Sequence, residues 1–246
     1  YLVKFLYILL LLSLTSCSSN YNWGWYILDP RLESGLTNLE FLISGLGLTI
    51  SISLISIIIS IFIGFFIALP GLSNNKLLIL VNRSYIEFFR AVPLLVLLLW
   101  VYYGLPVIFG ISIGAFMAGI ISLSLSDAAF EAEIFRAGLQ SIGSGQKDAA
   151  KSIGLSKAQE MRLIILPQAI RIILPAIGNQ FVYVLKMSSL VSIIGLADLT
   201  RKANELVVTV YRPLEIYTFL VLEYFVLILI ISYFIRKLEK KLKINS

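Results

Sequence analysis

From Phe41 to Leu69 the chain runs without a single charged side chain. A helix of about 20 apolar residues crosses a hydrocarbon core roughly 30 Å thick, so this run spans with length to spare. Backbone groups in lipid have no water to bond, which leaves only helices or closed barrels as spanning structures. Uninterrupted runs of this length select helices. Further apolar stretches at Tyr85–Pro106, Ile111–Phe135, Ile170–Met187 and Pro213–Ile235 bring the expectation to about five transmembrane helices in an all-α integral membrane protein.

Composition agrees. Hydrophobic residues make up 59% of the 246, charged residues only 14%, and the mean hydropathy is +0.92. The formal charge of +6 suits the cationic loops that membrane proteins keep on the cytoplasmic side. The chain has no His and one Cys. Histidine acid–base chemistry, Cys/His zinc sites and internal disulfides are therefore excluded. No G-x-x-x-x-G-K-[ST] occurs, so any ATP, with its Mg²⁺, is expected on another chain. We expect no catalytic residue, no metal and no cofactor in this one.

Residues 1–20 place Lys4 before an apolar run too short to cross, then Leu14-Thr15-Ser16-Cys17. This reads either as a secretory leader with a lipobox, Cys17 being lipidated, or as an uncleaved anchor. Residues 21–40 form an extracytoplasmic linker whose Trp23, Trp25 and Tyr26 suit the headgroup level. In the first span Ser56, Ser60 and Gly64 recur every fourth residue. Such a small-residue stripe lets another helix approach closely. Glu87 with Arg90, and Glu133 with Arg136, each stand three apart and are expected to pair at the interface. Asp127 lies deep in a span without a local partner, a position that is costly unless it lines a pathway or bonds between helices.

The longest polar insertion, Ser144–Pro167, reads as two short helices around a corner. Ser144 is expected to cap the first helix, and Gly154 to supply the left-handed residue that ends it. Ser156 and Gln159 fit a capping box for the second. Pro167 is expected to close or kink that helix. Ala150 and Gly154 also fit the spacing of a DNA-binding helix-turn-helix, but a second helix that runs into the bilayer is a poor reader of a major groove. Nucleic acid is not an expected partner; membrane lipids are.

Asp148-Ala149-Ala150, Gly154, Ile164, Leu166 and Pro167 follow the spacing of the EAA loop of ABC-importer permeases, with Asp148 where that family usually has Glu. Ile86-Glu87-Phe88-Phe89-Arg90-Ala91-Val92-Pro93-Leu94-Leu95 and Ala132-Glu133-Ile134-Phe135-Arg136-Ala137-Gly138 resemble the polar-amino-acid branch (the His/Gln/Glu/Arg type), although Leu97 stands where that branch often has Gln. Leu185-Lys186-Met187-Ser188-Ser189-Leu190 resembles its K-D-T-S-L stretch with Met187-Ser188 replacing Asp-Thr. The resemblance covers about Asn38 to Lys241. It implies the permease subunit of a type I ABC importer of polar amino acids in the bacterial inner membrane. Residues 41–236 would form the transmembrane domain, 144–167 the cytoplasmic coupling loop, and 237–246 a basic cytoplasmic tail.

The implied partners are an ABC ATPase dimer, a second permease copy or paralogue, and an extracytoplasmic amino-acid-binding protein. The N-terminus falls outside and the C-terminus inside on the positive-inside pattern. Candidate pathway residues are Asp127, Glu131, Lys186, Ser188 and Glu223. Glu223 stands about ten residues into the last span, near the midplane. It either faces the pathway, favouring an ammonium group, or is a neutral acid bonded between helices. A secondary transporter or channel without an ATPase is the alternative class, and it leaves the loop without a job.

Overall fold

The computed structural model describes residues 21–242; the Cys17 reading and the last residues of the basic tail lie outside them. Among the described residues the fold is helical throughout, with no strand. Helix α1 (Glu33–Ile43) passes through a short break at Ser44–Gly45 into α2 (Leu46–Gly71). The first span is thus α2 with α1 leaning into it, and it ends at Pro70–Gly71 as expected. Helix α3 (Lys76–Ala91) meets α4 (Leu94–Phe109) at 96°. The expected span Tyr85–Pro106 is therefore two elements. Val92 before Pro93 is extended, as the residue ahead of a proline prefers, and the chain turns there.

Helix α5 (Ala115–Gln140) returns, α6 (Ser144–Ser152) and the short α7 (Lys157–Glu160) form the polar loop, and α8 (Leu166–Met187) crosses again. Helix α9 (Leu199–Val210) lies at the end away from the loop, and α10 (Pro213–Leu242) is the last span. Among the described residues four helices are long and apolar enough to cross a membrane, or five when the bent pair α3–α4 counts as one.

The core is the seam between α2 and α5. Thr49, Ser53, Ser56 and Ser60 are fully buried on α2, and Ser122 and Ser124 on α5. Ser53 satisfies its hydroxyl on Thr49 and Ser122 on Ala118, a turn away on their own helices, and Ser124 donates across the seam to the Ser56 carbonyl, while the Ser56 hydroxyl has no partner. Such small side chains leave room for a partner helix. At Gly64 a Cβ would stand 2.5 Å from the Glu131 Cβ and 3.0 Å from the Ala128 carbonyl oxygen. Glycine is required for this approach. Apolar packing closes the far half, where Ile52, Leu98, Val101, Leu123 and Val191 form one cluster.

Candidate functional site

The loop is built from local rules. Gly143, not Ser144, occupies the N-cap of α6, and Ser144 is the first helical residue. At the corner Gly154 has φ +78°. The Leu155 N–H donates to the Ala150 carbonyl at 3.1 Å and the Gly154 N–H to that of Lys151 at 2.9 Å. These bonds satisfy carbonyls that a helix end leaves free. Ser156 and Gln159 make both hydrogen bonds of the capping box, at 3.4 and 2.9 Å. Pro167 does not stop the chain. A π-helical turn, Met161–Ile165, carries α7 into α8, and the altered hydrogen bonding of that turn is where a continuous helix takes up a proline such as Pro167. The loop is thus mechanically continuous with a spanning helix.

The seven loop residues divide by exposure. Asp148, Ala149, Gly154, Leu166 and Pro167 face out, Ile164 is half-buried, and Ala150 is 2% exposed. Ala150 therefore packs within the loop, while Ala149 is the alanine free to meet a partner. Ile165, which spacing did not single out, is the residue that seats the loop: it is buried with Ile142, Ala169 and Ile173.

Asp127 and Glu131 lie one turn apart on α5. Asp127 is 3% exposed and joins three helices: it accepts from Ser60 Oγ on α2 at 2.6 Å and from Gln180 Nε2 on α8 at 2.5 Å. Glu131 is fully buried, and neither carboxyl oxygen has a hydrogen-bond partner. The other candidates are elsewhere. Ser188 is buried with its hydroxyl donated to the Leu185 carbonyl. Lys186 is exposed beside Thr200, Val221 and Tyr224. Glu223 borders an apolar cavity of about 340 Å³ with Ile43, Leu46 and Phe219. At roughly 100° per residue, Val221, Phe225 and Ile228 on the Lys186 side lie across α10 from Phe219, Glu223 and Ile230, so Lys186 and Glu223 do not share a site. The five residues are not brought together.

The expected ion pairs are also rearranged. Arg90 reaches across from α3 to Glu133 on α5 at 2.6 Å, and Glu87 stands 3.7 Å from Arg83. Neither Glu87–Arg90 nor Glu133–Arg136 forms, because the bend at Val92–Pro93 swings the end of α3 onto α5. At the far end Asp198 caps α9, accepting from the Arg201 N–H at 2.9 Å. Burial pushes its carboxyl up to about 6.

Residues 60–244 match the family of binding-protein-dependent transport system inner membrane components. The chain belongs to that family. It is 37% identical over 211 residues to the arginine transport system permease protein ArtQ of Bacillus subtilis (strain 168), covering 86% of this chain and 96% of the relative. It is 35% identical over 205 residues to the putative glutamine transport system permease protein GlnP of Rickettsia typhi (strain ATCC VR-144 / Wilmington), covering 83% and 94%.

The crystal structure of an amino acid ABC transporter with histidines superposes with a TM-score of 0.80 at 43% identity, over 85% of this chain and 97% of that one. The inward-facing MetNI methionine ABC transporter shares the fold at a TM-score of 0.71 and 20% identity, over 84% and 98%. This is the type I ABC permease fold in a multi-pass inner-membrane component. Membership in a binding-protein-dependent family sets aside the free-standing secondary transporter.

Proposed function

We propose that the chain is the permease subunit of an ABC importer that moves polar amino acids inward, driven by ATP hydrolysed on a separate subunit. The loop end of the bundle is then cytoplasmic, and α9 with the Trp23–Trp25 segment faces outside. A second permease copy or paralogue, two ATPase subunits and an extracytoplasmic amino-acid-binding protein complete the machine. The observation that carries the reading is the α6–α7 hairpin. Its exposed Asp148, Ala149 and Gly154 form a compact knob, and its second helix runs unbroken into α8. A partner that moves the knob moves a spanning helix, which is what alternating access requires. The relatives named for arginine and glutamine transport support the substrate class.

Co-purification tests the assembly. Tagged permease co-expressed with the genes of its transport system is expected to bring down an ATPase, and Ala149→Trp is expected to lose it while the permease remains folded. Retention of the ATPase by Ala149→Trp would show that the knob is not the docking element.

A further inference from the structure

We propose that the cleft between α3 and α5 binds the phosphate of an anionic phospholipid from the leaflet at the loop end of the bundle, with Arg83, Arg90 and Arg136 as its donors. The importer reading above supplies only which leaflet that is, the cytoplasmic one.

The cleft is a cavity of about 540 Å³. Arg83 and Arg90 line it from α3 and Arg136 from α5, and Glu87 and Glu133 share its wall. The two carboxylates occupy only part of the cationic charge. Arg90 is held by Glu133 at 2.6 Å and lies 5.4 Å over the Phe130 ring. Arg83 stands 3.7 Å from Glu87, beyond hydrogen-bond distance. Arg136 is half-buried, and among the described residues it joins no ion pair. A guanidinium carries its N–H donors in a planar fork that fits phosphate oxygens two at a time. With three arginines against two glutamates, the cleft keeps a positive charge for an anion to meet.

Depth decides the source of the phosphate. Helix α3 crosses the α2–α5 pair instead of running along it. Asn82 donates to the Ile67 carbonyl and abuts Gly71, Ile86 packs with Ala68 and Ala132, and Arg90 reaches Glu133. Gly64 on α2 meets Glu131 on α5, so these contacts, spread over about 12 Å of α3, all fall beside the last two turns of α2. Helix α2 has 26 residues, about 39 Å of helix against roughly 30 Å of hydrocarbon. Its last turns therefore stand at the boundary between acyl chains and headgroups. The other side of α3 agrees, because Leu77, Leu80, Val81 and Phe88 are exposed there. An apolar face beside a cationic one is how a helix lies in the membrane interface. Basic pockets between helices at the cytoplasmic level suit anionic headgroups, and the apolar face takes the acyl chains. A free phosphate ion has no use for that apolar border.

The test titrates the detergent-solubilised complete transporter, permease with its ATPase and binding protein, and reads the melting temperature. The titrants are phosphatidylglycerol, phosphatidylcholine and inorganic phosphate. A ligand that binds only the folded state raises Tm by about 5 °C or more at a hundredfold excess over its Kd. We expect that rise from phosphatidylglycerol, and little from phosphatidylcholine, whose choline cancels the charge. Arg136→Gln should weaken the apparent affinity about tenfold or more, the loss of a charge-assisted contact. Arg136→Lys, which keeps the charge without the fork, should fall between. Changing Lys240 and Lys241 to Gln, at the basic end of α10 and outside the cleft, should leave the affinity as it is.

If Arg136→Gln fails to fold, Arg83→Gln carries the same prediction. Equal affinity in wild type and the arginine variants overturns the site, as does an equal loss from the Lys240 and Lys241 changes. The same rise with inorganic phosphate or phosphatidylcholine overturns the anionic lipid. Transport is not part of this readout, so absence of ATP-driven uptake would overturn the importer reading and leave the lipid result standing.

Discussion

Gly64 is a residue whose identity the α2–α5 seam constrains tightly, because the Glu131 Cβ and the Ala128 carbonyl leave no room for a side chain. Gly64→Val must push α2 away from α5. Overpacking of this kind costs about 1–3 kcal/mol, and we expect a lower melting temperature in detergent, read by thermal-shift chromatography. Gly64→Ala should cost less. Asp198 makes a separate prediction through its raised carboxyl. The folded state holds its proton to a higher pH than the unfolded state does, so this group's contribution falls as pH rises from about 4 to about 6. Asp198→Asn keeps a good N-cap without the charge. The variant should melt higher than wild type at pH 7.5, and the two should converge near pH 4.5. A constant difference across that range would remove burial as the cause.

Among the elements, the loop was the most legible from sequence and α3–α4 the least. Gly154, Ser156 and Gln159 act through bonds to neighbours in the chain, so their spacing alone predicts the corner and the capping box. The Gln180–Asp127–Ser60 junction joins residues far apart in sequence, and no local pattern reports it. Likewise the pairing of Arg90 with Glu133 depends on the bend at Pro93. Charges three apart in one helix could not reveal that partner. Ala149 and Ala150 looked equivalent in sequence, yet one faces out and the other in. Ala150→Trp should therefore disorder the loop itself, seen as faster proteolysis between α5 and α8, whereas Ala149→Trp should leave the loop protected and lose only the partner. Gly154→Val, forced into a positive φ at a cost of about 1–2 kcal/mol, should resemble Ala150→Trp.

For the whole molecule, the α2–α5 seam is the scaffold, and α8 is tied to it by a buried hydrogen-bonded junction halfway along α5, by Tyr183 against Phe130 and by an apolar cluster at the loop end. A force on the α6–α7 knob acts on α8 directly, and through it on the junction. The polar residues expected to line one pathway do not converge: Asp127 and Glu131 sit in the α2–α5 seam, while Lys186 and Glu223 lie on different sides of α10. The measurement that tests the account most directly is amino-acid uptake by proteoliposomes holding the permease with its ATPase and binding protein. We predict uptake that requires ATP inside and the binding protein outside, and that is abolished by Gly154→Val. Uptake that persists without ATP or without the binding protein would contradict the account.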